Sequence, residues 1–149
     1  MQTRLLIVED EPEMLMFLKR FFRRKGYAVT AVVSAEEAWD AISETEYDLV
    51  LCDLVLGGMS GMELLHKIRE IDRDLPFVIL TGAGSIESAV EAIKLGAFHY
   101  VTKPFKRQEL EITVQRAVEY GLMHRRISKL SDASESDGGP IIIGNSRKM

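Results

Sequence analysis

Residues 49–58 read LVLCDLVLGG, and the fold turns on how Asp53 is accommodated in them. Leu49 to Cys52 run straight into the carboxylate, and Leu54, Val55 and Leu56 follow it. An ionised group in such surroundings is costly unless it is paired or hydrogen-bonded. Its partners must therefore come from elsewhere in the chain.

On either side of this stretch short apolar runs recur: LLIV (5–8), YAVTAVV (27–33), YDLVLC (47–52), FVIL (77–80) and FHYV (98–101). Each has the length and aliphatic or aromatic content of a strand buried on both faces of a parallel sheet. Between them lie helical signals. Pro12 suits a first helical turn, and Met14, Leu15, Leu18, Phe21 and Phe22 follow at helical spacing before Gly26. Ser34 with Glu37, and Ser60 with Glu63, read as capping boxes. Ser85 is placed to cap a helix bearing Ile86, Ala89, Val90 and Ile93 and ended by Gly96. A fifth helix begins after Pro104 and carries Leu110, Val114, Ala117 and Val118.

This alternation predicts an α/β fold, a doubly wound parallel sheet with right-handed crossovers and helices on both faces. The 149 residues suffice for one domain and a tail. A hydrophobic share of 46% and a charged share of 28% are ordinary for a soluble globular chain. The net charge of -4 gives no general attraction to nucleic acid or anionic membrane, so DNA binding would need a part not present here. The single cysteine, Cys52, cannot form an internal disulfide and reads as a small buried hydrophobe. The opening MQTRLLIVEDE is too short in apolar residues for a signal-peptide core or membrane span, which points to the cytoplasm.

The fifth helix extends beyond what a core needs. Tyr120, Met123, Ile127 and Leu130 form a short heptad-spaced seam, and a helix from Lys106 to Leu130 would be roughly 37 Å long. The expectation is a dimerising helix and a homodimer, the alternative being a frayed amphipathic extension, and Gly121 interrupts the seam with a poor helix former. SDASESDGG (131–139) has the composition of a linker, and PIIIGNSRKM (140–149) reads as the first strand of a further domain.

The strand ends decide the chemistry. Glu9 and Asp10 follow the first strand, Asp53 the third, Thr81 and Gly82 the fourth, and Thr102 and Lys103 the fifth. In a parallel sheet these positions share one edge, the edge where such sheets bind ligands. Neighbouring carboxylates oppose each other's ionisation unless a cation lies between them. Lys103 supplies one charge and Mg²⁺ would supply two, with Asp10, Asp53 and a backbone carbonyl near Val55 as oxygen donors and Glu9 acting directly or through water. Taken singly, Glu9 and Asp10 could be an acidic helix-capping turn, and Lys103 a solvated lysine. The coincidence at matching strand ends carries the reading.

Four motifs in order, LLIVEDE, LVLCD, ILTG and YVTKPF, resemble the receiver domains of bacterial two-component response regulators, over residues 4 to about 120. Gly61, before the third helix, also fits. The resemblance implies a flavodoxin-like (βα)5 fold with sheet order 2-1-3-4-5 and a receiver domain over 1–120. It implies that Asp53 is the phosphoacceptor, that Glu9, Asp10, Asp53 and the Val55 carbonyl hold Mg²⁺, and that Lys103 pairs with phosphoryl oxygens. Thr81 and Tyr100 would be the switch hydroxyl and aromatic, and the bond before Pro104 would be cis; read alone, Tyr100 is an edge-strand aromatic. A sensor histidine kinase is the implied phosphodonor, and no independent enzyme activity is expected beyond self-phosphorylation and self-dephosphorylation.

Departures from the family pattern lie at Gly57, where many relatives have proline, and at Val55 and Ala83. The last two cannot hydrogen-bond through their side chains to a hydrolytic water, so dephosphorylation is expected over hours rather than seconds. A haloacid-dehalogenase phosphatase would need a second carboxylate at position 55, and a flavin module would not carry the acidic turn VEDEPEM. The stretch TGAGSIESAVEAIKLGAFHYVTKPF further resembles the NtrC-like branch, whose receivers precede an AAA+ ATPase that activates sigma-54 RNA polymerase. PIIIGNSRKM (140–149) would then be the truncated start of that ATPase, after a helical extension and linker over 121–139. The alternatives are a different output domain or a stand-alone interaction module.

Overall fold

The computed structural model describes residues 2–82 and 86–136, with side chains up to residue 124. Among them five strands alternate with five helices. The chain runs through β1 (Arg4–Val8), α1 (Pro12–Arg24), β2 (Ala28–Val32), α2 (Ala35–Glu44) and β3 (Leu49–Asp53). It continues through α3 (Gly61–Ile71), β4 (Phe77–Thr81), α4 (Ile86–Lys94), β5 (His99–Thr102) and α5 (Arg107–Ser136). The strands form one parallel sheet in the order β2-β1-β3-β4-β5, the flavodoxin-like arrangement expected.

Side-chain alternation along the strands divides the core in two. Leu6, Val8, Val50, Cys52, Phe77 and Ile79 point to one face, where α2, α3 and α4 supply Ala38, Leu64, Ile68 and Ala92. Leu5, Ile7, Leu49, Leu51, Val78 and Leu80 point to the other, under Leu18 and Phe22 of α1 and Leu110 and Val114 of α5. Each fully buried Leu, Ile or Phe contributes about 1.5–3 kcal/mol of burial free energy. Cys52 is buried, as its apolar neighbours suggest.

The expectation of strands buried on both faces holds for β3 and β4 and for all of β1 except Arg4, and fails at the edges. All five residues of β2 are half-buried, and His99 of β5 is exposed. Edge strands have one lateral neighbour and their outer sides meet solvent.

Pro12 opens α1, and Gly26 and Gly96 adopt φ of 97° and 113° after α1 and α4, where residues with a Cβ are strained. The Ser60 capping box closes in both directions: Ser60 Oγ accepts the Glu63 N–H at 3.1 Å and Glu63 Oε1 accepts the Ser60 N–H at 2.9 Å. The Ser34 box closes in one. Ser34 Oγ accepts the Glu37 N–H, but Glu37 Oε1 takes the N–H of Val33, which lies just past the last paired residue of β2. The Ser85 cap lies outside the described residues.

Helix α5 passes through Gly121 without a break and ends at Ser136, six residues into the stretch read as linker. From Ser131 to Ser136 the sequence holds no glycine or proline to stop it. Gly121 has a packing reason: a Cβ there would lie 2.5 Å from Cγ and 2.9 Å from Cδ of Pro76. The helix backbone crosses the start of β4 at a distance only glycine allows. Tyr120 packs on Phe98 with ring centroids 5.3 Å apart, while Met123 is largely exposed. The side chains of Ile127 and Leu130, and the whole of residues 140–149, lie outside the described residues.

Candidate functional site

Parallel pairing carries the strand ends to one edge. Val8 is level with Cys52, Asp53 with Leu80, and Thr81 with Thr102. Asp53 and Thr81 are the last residues of their own strands rather than the first beyond them. Glu9, Asp53 and Thr81 are buried and Asp10 is exposed.

One ammonium joins this cluster. Lys103 Nζ donates to Glu9 Oε1 at 2.8 Å and to Asp53 Oδ2 at 2.9 Å. The second Asp53 oxygen, Oδ1, accepts the Val55 N–H at 3.1 Å, and Glu9 Oε2 accepts the Glu11 N–H at 3.2 Å. The carboxylate inside the apolar run is thus held by a charge fifty positions away and by an amide two positions on. Charge-assisted bonds of this kind offset the desolvation that burial imposes.

The electrostatics remain unbalanced. Burial raises the Glu9 carboxyl above its ordinary 4.5; the hydrogen bond from Lys103 opposes the rise and the nearby charge of Asp53 adds to it. Burial also bears on Lys103 and pushes its ammonium down, but the bonds to Glu9 and Asp53 and their charges outweigh it and hold the group above 10.5. Glu9, Asp10 and Asp53 each offer an oxygen within 4.8 Å of the others. Three carboxylates, two of them bonded to one ammonium, form an excess of hard anionic oxygens that could hold a small divalent cation.

The remaining expected residues stand around this centre. Thr81 Oγ1 donates locally to the Gly82 carbonyl at 3.2 Å. Tyr100 lies outside the hydrogen-bonded network, half-buried against the α2–α3–α4 face with its ring 5.5 Å from that of His99. The Lys103–Pro104 peptide is cis. Val55 is 64% exposed, at the start of the turn from Asp53 to α3. Ala83 lies outside the described residues. One contact to this turn has no signal in the sequence: Glu36 Oε2, on α2, accepts the Met59 N–H at 3.0 Å.

Residues 5–115 match the family model of the response regulator receiver domain. The chain belongs to that family. Among similar proteins, the two-component response regulator PhoP of Pseudomonas aeruginosa is 36% identical over 98% of this chain and 62% of its own length. The transcriptional regulatory protein ZraR of Klebsiella oxytoca is 32% identical over 99% of this chain and 32% of its own. This receiver domain therefore spans less than two thirds of the curated relatives it matches. Among solved structures, NtrX from Brucella abortus in complex with ADP aligns with a TM-score of 0.82 at 32% identity, covering 87% of this chain and 30% of that one. A receiver domain protein from Clostridium thermocellum aligns at 0.78 and 30% identity, over 81% of this chain and 98% of that one. Among the described residues no helix is long and apolar enough to cross a membrane.

Proposed function

We propose that this receiver domain is a phosphorylation switch in which Asp53 accepts a phosphoryl group from a sensor histidine kinase. The observation that carries the reading is the Lys103 ammonium bonded at once to Glu9 and Asp53, beside the third carboxylate of Asp10. Glu9, Asp10, Asp53 and the Val55 carbonyl would hold Mg²⁺. When bound, the ion supplies charge neutralisation at the transferring phosphoryl oxygens.

The chain's own groups account for the rest of the step. An Asp53 oxygen attacks phosphorus, the P–N bond of the phosphohistidine breaks, and the imidazole leaves with the electron pair. Lys103 already lies at the carboxylate, so its charge is in place as negative charge gathers on the equatorial oxygens. The new group brings about -1.5 to -2 of charge to a crowded edge. The Thr81 hydroxyl would exchange the Gly82 carbonyl for a phosphoryl oxygen, drawing the following loop inward and leaving room for Tyr100 to turn. Val55 offers no side-chain hydrogen bond to a hydrolytic water, so self-dephosphorylation runs over hours.

Output passes through α4, β5 and α5. The long α5, with Tyr120 and Met123 exposed near the domain's end, supports control of homodimer geometry. The likeness to the NtrC-like branch favours an AAA+ output domain, with sigma-54 RNA polymerase and DNA reached only through it, in the cytoplasm. Sedimentation and small-angle scattering of the chain with Mg²⁺ and beryllium fluoride, beside the untreated chain, test this. A changed assembly or envelope is expected; identical profiles would count against it.

A further inference from the structure

The turn from Asp53 to α3 holds the carbonyl proposed as a metal donor, yet it is built from weakly determined residues. Leu56 is buried, the Gly61 N–H donates to the Leu54 carbonyl at 3.1 Å, and Ser60 caps α3. Between these anchors stand Gly57 and Gly58. A Cβ on Gly57 would meet nothing within 4 Å, so the residue borders open space on that side. Adjacent glycines lose more conformational freedom on ordering than any other pair.

Glu36 reaches this stretch from the first turn of α2. Its Oε2 accepts the Met59 N–H at 3.0 Å, across twenty-three positions of sequence. Gly58 makes room for it. At φ 74° this glycine turns the chain, and a Cβ on it would lie 2.9 Å from the same Oε2. The carboxylate fills the hollow that a glycine leaves and bonds the next amide along. Lys67 of α3 lies near enough for its charge to favour the ionised form of Glu36, and its Nζ sits 4.6 Å over the Trp39 ring of α2. The bond therefore joins α2 to the turn, with α3 adding charge from behind.

We propose that Glu36 is a positioning residue for the divalent-cation site: by fixing Met59 it restrains the glycine turn that follows Val55, the residue whose carbonyl would meet the cation. The inference rests on the reading of Glu9, Asp10, Asp53 and the Val55 carbonyl as that site. Glu36 touches neither the cation nor the phosphoryl group. Its effect is a smaller ordering cost when the cation binds, through a bond already made.

Calorimetric Mg²⁺ titration of the unphosphorylated chain, with hydrogen exchange at the Met59 amide, tests this in the wild type, E36A, E36Q and D10N. E36A should bind Mg²⁺ roughly 3- to 10-fold more weakly and exchange the Met59 amide faster. E36Q keeps an acceptor oxygen, and both readouts should stay close to wild type. D10N should lose most of the binding. If D10N loses binding while E36A matches wild type, the role of Glu36 is overturned and the cation site stands. If E36Q falls as far as E36A, the charge and not the bond is responsible, and the proposal is overturned. If the folded wild type takes up no Mg²⁺ at millimolar concentration, the reading of the site fails and takes the inference with it.

Discussion

Lys103 Nζ lies 2.9 Å from Asp53 Oδ2, although fifty positions separate the two residues in the chain. The same nitrogen lies 2.8 Å from Glu9 Oε1. Loss of the ammonium would leave two buried carboxylates facing each other. In the metal-free protein at neutral pH, K103M should be destabilised by about 2–3 kcal/mol in urea denaturation. That is less than the ~3–5 kcal/mol of a fully buried pair, because 21% of the lysine side chain remains exposed. The raised folded-state value of Lys103 means its contribution is complete below pH 10.5 and lost as pH rises through that higher value. Glu9 acts at the other end of the scale. Its raised value costs the metal-free fold stability as pH climbs past 4.5. Mg²⁺ should recover much of the K103M loss; equal stability of wild type and K103M without metal would contradict the pairing.

Gly61 opens α3 against the end of β3. A Cβ there would lie 2.5 Å from the Asp53 carbonyl oxygen and 3.0 Å from Leu54 Cα, both backbone atoms that cannot swing aside. G61A should cost about 1–3 kcal/mol and slow phosphoryl acceptance by moving Asp53. Urea melts and labelling with a small phosphodonor check both, and an unaltered melt would show that the backbone gives way at little cost.

At Gly121 two effects oppose each other. Replacing a helical glycine with alanine ordinarily gains about 0.5–1 kcal/mol. Here the new Cβ would enter the Pro76 ring, 2.5 Å from Cγ. Overpacking of this kind costs about 1–3 kcal/mol, so G121A should be net destabilising. A variant as stable as wild type would mean α5 can lift from β4.

The Glu36 carboxyl should titrate below its ordinary 4.5, because it accepts the Met59 N–H. A lowered folded-state value makes its contribution to stability present above pH 4.5 and lost as pH falls through the folded value. Carbon-detected NMR of the side-chain carboxyl measures the midpoint directly. A midpoint at or above 4.5 would show that the bond to Met59 is not held in solution.

Much of this was legible in the sequence because it depends on short-range pattern. Apolar runs fixed the five strands to within two residues, and the strand ends located Glu9, Asp10, Asp53, Thr81 and Lys103 along one edge without any contact being known. What escaped depends on tertiary approach. Glu37 and Glu63 occupy identical motif positions, yet one bonds the amide before the cap and the other the cap itself, a difference the motif does not encode. Gly121 looked like a weak point in a helix and is a point of close contact with Pro76. Glu36 reads as one of two acids in a first helical turn, and only the folded chain brings it to Met59.

Phosphoryl acceptance at Asp53 is measured most directly by intact-mass spectrometry after incubation with Mg²⁺ and a small phosphodonor, wild type beside D53N. The wild type should gain the mass of one phosphoryl group, lost again under hydroxylamine as an acyl phosphate requires, and D53N should gain none. Labelling of D53N to the same extent, or a wild-type adduct that hydroxylamine leaves intact, would contradict the assignment of Asp53 as the phosphoacceptor.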